Sequence, residues 1–159
     1  KREFRSFWWV KMFQGETAIT IDDKGRMSIP TTYRDLIAAN CGNRLVFTYN
    51  PFEQGCLWLL PVRDWEKIRD EVNGLSRTVA AHRNLQLKLV GAACHVDVDG
   101  NGRVLVPASQ RGATALGKNA VLLGMGSKFE LWAEEAHQRQ IAMTIGESAV
   151  TPEMSKLSL

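Results

Sequence analysis

Residues 22–34 read DDKGRMSIPTTYR, and residues 99–111 read DGNGRVLVPASQR. Asp22, Gly25, Arg26, Pro30 and Arg34 each stand 77 residues before Asp99, Gly102, Arg103, Pro107 and Arg111. The likeness continues outward after small gaps. LVFTY (45–49) resembles VLLGM (121–125), and CLWLLP (56–61) resembles FELWAE (129–134), with Trp58 and Trp132 inside the second pair. The duplication therefore covers roughly 45 residues per copy, more than a turn motif alone.

Each copy has the same local logic. The alternating run Thr17–Ile21 predicts a strand with one buried face. Asp23-Lys24-Gly25 forms a three-residue loop, and the glycine supplies the positive φ that such loops require. Arg26 to Ile29 is the return strand. Pro30 ends it, because proline cannot donate to a ladder. Thr31 or Thr32 is then placed to cap the helix in TYRDLIAA (32–39). The second copy repeats this with HVDV (95–98), Gly100-Asn101-Gly102, RVLVP (103–107) and a helical SQRGATALG (109–117). Pro107 plays the part of Pro30.

Between the copies, Trp65, Ile68, Val72 and Leu75 recur at helical spacing, and Asn73-Gly74 marks the end of that helix. A second linker helix runs to about Lys88. AEEAHQRQIAMTI (133–145) is the matching helix of copy two, and a tail follows. The organisation expected is a leader over 1–11, a first copy over 12–63, a helical linker over 64–91, a second copy over 92–136, and a C-terminal helix and tail over 137–159. Units this short, at about 60 residues, bury little apolar area alone. Two interlocked copies share one core, which predicts one pseudo-twofold domain.

Composition excludes several classes. The chain of 159 residues is 45% hydrophobic, and no apolar run approaches the ~18 residues of a membrane span. Cys41, Cys56 and Cys94 are far apart, which fits neither a disulfide framework nor a zinc site and points to a reducing cytoplasm. The net charge of +3 is carried wholly by the leader KREFRSFWWVK, with four basic residues and one acid. Only local charge placement, then, can argue for nucleic acid. The leader reads as an extension outside the fold, either an added remnant or an over-extended start, in preference to a docking arm, and Met12 follows it directly.

No enzyme or cofactor site emerges. Asp97, Asp99, Asn101 and Gly102 match the opening of a calcium loop, but Ala108 stands where its bidentate glutamate belongs. Aspartate and asparagine here are turn formers. His82, His95 and His137 lie in different elements, and GMGSKF (124–129) lacks phosphate-loop spacing.

Arg26 and Arg103 are the pair that carries function. Each follows an aspartate by four residues, so Asp22 and Asp99 can accept loop N–H groups or pair with the guanidinium and aim it outward. Lys24 adds a cation at the first tip, and Asn101 adds a neutral hydrogen-bonding group at the second. Two arginine tips related by a pseudo-twofold suit double-stranded DNA. Arg34 and Arg111 fall on the short helices and are read evenly as phosphate contacts or structural groups.

Two copies of D-x-x-G-R-x-x-x-P-x-x-x-R in a chain of this length are similar to the MraZ family of bacterial transcriptional regulators, which carry two SpoVT/AbrB-like swapped-hairpin domains. MFQGETAITIDDKGRMSIPTTYRD (12–35), KFELW (128–132) and the LSL ending (157–159) extend the resemblance over about 148 residues. The resemblance implies an α+β, β-rich double barrel of interleaved halves with peripheral helices, and homo-oligomeric rings. It implies a cytoplasmic, nucleoid-associated repressor, without cofactor, membrane partner or small-molecule substrate. Such a repressor binds direct repeats upstream of the division and cell-wall gene cluster. The family's D-x-x-x-R motif falls on Asp22 to Arg26 and Asp99 to Arg103, with both arginines touching DNA. Asn101 departs from the basic residue expected at the position of Lys24, which implies a weaker second contact. The competing reading is a toxin-neutralising interaction module of the swapped-hairpin class.

Overall fold

The computed structural model describes residues 13–159, so Met12 and the leader lie outside the described residues. Eight strands run through the described residues. They are β1 (Phe13–Thr20), β2 (Arg26–Ser28), β3 (Arg44–Tyr49), β4 (Cys56–Pro61), β5 (Cys94–Asp97), β6 (Arg103–Leu105), β7 (Asn119–Gly126) and β8 (Phe129–Ala133). The helices are α1 (Thr31–Cys41), α2 (Val62–Asn73), α3 (Ala80–Gln86) with a π turn over Leu87–Gly91, α4 (Ala108–Ala113), α5 (Glu134–Ala142) and α6 (Pro152–Ser155). The class is α+β and strand-rich. All ladders are antiparallel: a six-stranded sheet in the order β1-β7-β8-β4-β3-β5, and a separate ribbon of β2 with β6.

The pairings show how the two copies are joined. β1 of the first copy pairs with β7 of the second, and β5 of the second pairs with β3 of the first. The remaining cross-copy ladders pair like with like. Met27 faces Val104 in the ribbon, a separation of 77, and Trp58 faces Glu130 between β4 and β8, a separation of 72. Each pair therefore sits on the pseudo-twofold axis. The expected return strand is thus corrected. After the turn at residues 22–26, β2 does not continue a ladder with β1 but crosses to β6, because a three-residue strand is stabilised only where its mate completes the ribbon.

One core serves both copies. Ile19, Ile21, Met27, Ile29, Ile37, Phe47 and Leu57 from the first pack with Val104, Val106, Leu122, Phe129 and Leu131 from the second, all nearly inaccessible. Phe13, Tyr33 and Phe129 form an aromatic knot, with Phe13 stacked on Phe129 at 4.0 Å and Tyr33 edge-on at 5.0 Å. Burying aromatic rings of this size contributes more than any other side-chain class in a small core. On the outer face, α2 covers the sheet with Trp65, whose indole N–H donates to the Leu89 carbonyl at 2.8 Å.

Three helices have a proline at the N-cap. Pro30, Pro61 and Pro107 occupy the N-cap positions of α1, α2 and α4 with φ of −54°, −56° and −58°. The fixed proline φ sets the strand-to-helix corner directly. Thr31 is consequently the first helical residue, and no side chain caps α1, contrary to the expectation for Thr31 or Thr32. α2 ends at Asn73 as its sequence predicts, although Gly74 stays right-handed with φ −76°.

Candidate nucleic-acid interface

The two tips are built by one circuit of hydrogen bonds. Gly25 N–H donates to Asp22 O and Asp22 N–H to Arg26 O, each at 2.9 Å, and Gly102, Asp99 and Arg103 repeat both bonds at 2.9 Å. Gly25 and Gly102 have φ of +86° and +75°, in the region where a Cβ is strained. The tips then interlock: Val106 N–H donates to Gly25 O and Ile29 N–H to Gly102 O, both at 2.8 Å.

The aspartates act as the sequence predicts. Asp22 Oδ1 accepts from the Lys24 and Arg26 backbone N–H groups at 2.9 Å, and Asp99 Oδ1 accepts likewise from Asn101 and Arg103 at 2.9 Å. Both carboxyls are held below the usual carboxylate range. For Asp22 the main cause is the Arg26 backbone N–H, and for Asp99 it is that of Arg103; partial loss of water opposes the shift at both. The charge of Arg26 also favours the ionised form of Asp99, across the axis.

The arginines themselves differ. Arg26 Nε donates to Asp22 Oδ2 at 3.0 Å. Arg103 Nε lies 3.8 Å from Asp99 Oδ2, which is an electrostatic contact and too long for a hydrogen bond. Its Nε is buried without a hydrogen-bond partner. Both side chains keep about a third of their surface open, at 35% and 32%.

The ribbon register places the two arginines on one face. Met27 and Val104 point into the core at 1% exposure, so their neighbours point outward. Arg26 stands opposite Leu105, and Ser28 opposite Arg103. The arginines therefore occupy one diagonal of a four-residue checkerboard, where neighbours stand about 7–8 Å apart and long side chains can meet a common partner. Exposed Lys24 and Asn101 sit at the tips beside them. Ser28 and Leu105 are the members of this face that motif reasoning missed. Their signal was present in the sequence, since each lies two residues beyond a candidate arginine on a period-two strand.

Arg34 and Arg111 take a different position. Arg34 Nε donates to Ile29 O at 2.9 Å and Arg111 Nε to Val106 O at 3.1 Å. Each guanidinium lies against the opposite copy's tip glycine. A Cβ on Gly25 would meet Arg111 Nη2 at 2.7 Å, and a Cβ on Gly102 would meet Arg34. Both side chains are half-buried at these sites.

Other chemistry is sparse. Among the described residues, no group of three or more His, Cys, Asp or Glu could hold a metal ion. Asp99 directs its oxygens into its own loop. A cavity of about 910 Å³ lies between the β3–β4 loop, α4 and α5, lined by Tyr49, Cys56, Thr114, Glu134 and Arg139, and no tip residue borders it. Burial pushes the Cys56 thiol far up, which leaves it unreactive. No helix among the described residues is long and apolar enough to cross a membrane.

Comparison with known proteins agrees with this architecture. The model of a family described as "MraZ protein, putative antitoxin-like" matches twice, over residues 12–88 and 89–157. A protein of Stenotrophomonas maltophilia named transcriptional regulator MraZ is 60% identical over 136 residues, covering 86% of this chain and 92% of its own. A namesake from Xanthomonas campestris is 55% identical over 148 residues, covering 93% of this chain and all of its own. Another from Xylella fastidiosa is 57% identical over 136 residues, covering 86% and 92%. Two family matches that together span nearly all of the described chain, and relatives this similar over their whole lengths, show that the chain belongs to the MraZ family.

Proposed function

We propose that this protein is a DNA-binding transcriptional regulator, acting as a repressor on direct repeats upstream of the division and cell-wall gene cluster. The observation that carries the reading is the shared outward face of Arg26 and Arg103 on the β2–β6 ribbon, flanked by Lys24 and Asn101. A two-stranded ribbon fits a major groove, and arginine there pairs with phosphate or with guanine edges. Supporting it, the curated relatives carry the name of a transcriptional regulator. One chain offers few cations, so tight binding rests on a homo-oligomeric ring of double-barrel subunits that presents several faces to successive repeats. Cytoplasmic, nucleoid-associated location belongs to the same proposal, as does the absence of any catalytic step.

The test is fluorescence anisotropy on a duplex from the region upstream of its own gene, across a salt series. Arg26→Ala with Arg103→Ala is expected to abolish specific binding and to flatten the log–log salt slope by about 0.9 for each phosphate that is no longer neutralised. Unchanged binding by the double variant would remove the assigned role. The family description also names antitoxin-like proteins, and a toxin-neutralising module would instead co-purify with a small partner in equal amounts.

A further inference from the structure

Leu105 stands out on the arginine face. It is 53% exposed, it lies directly opposite Arg26, and it shares its strand and face with Arg103 two residues away. An apolar side chain gains nothing from standing in water between two guanidinium groups. Its core-facing neighbour Val104 already anchors the strand at 1% exposure. The position related to it by the pseudo-twofold is Ser28, which is also exposed, so the fold does not require an apolar group there.

We infer that Leu105 reads the C5-methyl group of a thymine, while the flanking arginines hold the ribbon in the groove. The inference rests on the DNA-binding reading above. Thymine is the base that presents a methyl group in the major groove, and apolar side chains are its complement. The checkerboard geometry supplies the positioning: with arginines on one diagonal, Ser28 and Leu105 occupy the other and face whatever the arginines grip. The two ends of the surface consequently differ. One presents Lys24, Arg26 and Leu105, and the other Asn101, Arg103 and Ser28. Rotation about the pseudo-twofold superimposes the backbone and the arginines but exchanges a hydroxyl for an isobutyl group. A surface of this kind distinguishes the two directions along a duplex, so each subunit reads an oriented, non-palindromic element.

The experiment replaces each thymine of the bound duplex in turn by deoxyuridine, which deletes only the methyl group, and measures affinity for the wild-type chain, Leu105→Ala and Ser28→Ala. At one thymine per subunit site, loss of the methyl is expected to weaken wild-type binding by about fourfold, the worth of one buried methyl-sized group. Leu105→Ala is expected to weaken binding to the unmodified duplex to a similar degree and to erase the deoxyuridine penalty at that position. Ser28→Ala should retain the penalty. Leu105 is exposed, so its truncation should leave the melting temperature unchanged. If wild-type binds the duplex but no deoxyuridine substitution matters, or if Leu105→Ala keeps the full penalty or loses affinity equally on every duplex, the inference is overturned and the DNA-binding reading survives. If the wild-type chain binds no duplex at all, both fall together.

Discussion

The guanidinium group of Arg34 lies over Gly102, with its Cζ 2.5 Å from where a Cβ on that glycine would stand. Arg111 does the same at Gly25. Each tip glycine thus serves two needs: a left-handed turn, and the absence of a side chain beneath an arginine from the other copy. Gly102→Ala should therefore destabilise the fold by roughly 1–3 kcal/mol from the strained backbone, with a further loss from displacing Arg34. Removing the arginine relieves only the second part. In chemical denaturation, Gly102→Ala combined with Arg34→Ala should cost less than the sum of the two single variants. Strict additivity would separate the two sites.

The same packing bears on which arginines meet nucleic acid. Arg34 and Arg111 each give Nε to a carbonyl of their own copy and lie against a glycine of the other. We expect Arg34→Ala and Arg111→Ala to lower the unfolding midpoint while leaving the salt slope of duplex binding unchanged. Arg26→Ala and Arg103→Ala should do the reverse. A reduced salt slope for Arg34→Ala would give that residue a phosphate partner.

Acid should loosen the tips. Asp22 and Asp99 have folded-state carboxyls held below their unfolded value, chiefly by the backbone N–H groups of Arg26 and Arg103. Groups with depressed folded pKa values stabilise the fold at pH above the unfolded value of about 3.9. That contribution disappears as pH falls through the lower folded value. Asp22→Asn and Asp99→Asn should therefore be less stable than the wild type at neutral pH. The gap should close as the medium is acidified below about pH 4. Denaturation midpoints across a pH series measure this directly, and a gap that widens in acid would contradict it.

Gly124 offers a test of the joint between copies. It pairs with Gly15 across the β1–β7 ladder, and a Cβ at Gly124 would run into the backbone of Phe13 and Gln14. Backbone atoms cannot swing aside as a side chain does. Gly124→Ala should therefore loosen the β1 end of the sheet, with a loss of about 2 kcal/mol or more by analogy with overpacked cores. Faster amide hydrogen exchange should appear in Phe13–Glu16 while the β2–β6 ribbon stays protected.

Local features of this fold are legible in the sequence because their causes are local. The aspartate–glycine–arginine spacing specifies the turn, Pro30 and Pro107 mark where strand becomes helix, and Trp65, Ile68 and Val72 mark the buried stripe of α2. Partner choice is not local. Alternation in Thr17–Ile21 says that one face is buried, but the same pattern suits a ladder with β2 or with β7. Register is equally hidden: VLLGM looks like the mate of LVFTY, a separation of 76. The ladders instead give 75, since Val98 bonds Asn43 as Ile21 bonds Lys118, which places Ala120 rather than Val121 as the counterpart of Leu45. Small residues such as Ala120 disguise a core position when hydrophobic bulk is the guide. Leu105 and Ser28 were legible but passed over, because an exposed leucine on a strand carries meaning only once the opposite strand is known.

The pairing of β1 with β7 also governs the order of events during synthesis. The first described strand, Phe13–Thr20, has its ladder partner at Asn119–Gly126, so it leaves the ribosome about a hundred residues before that partner exists. β2 likewise waits for β6. A nascent chain of this protein holds β1 and β2 unpaired until the second copy emerges, and the arginine face assembles only once β6 has followed β2 out of the ribosome.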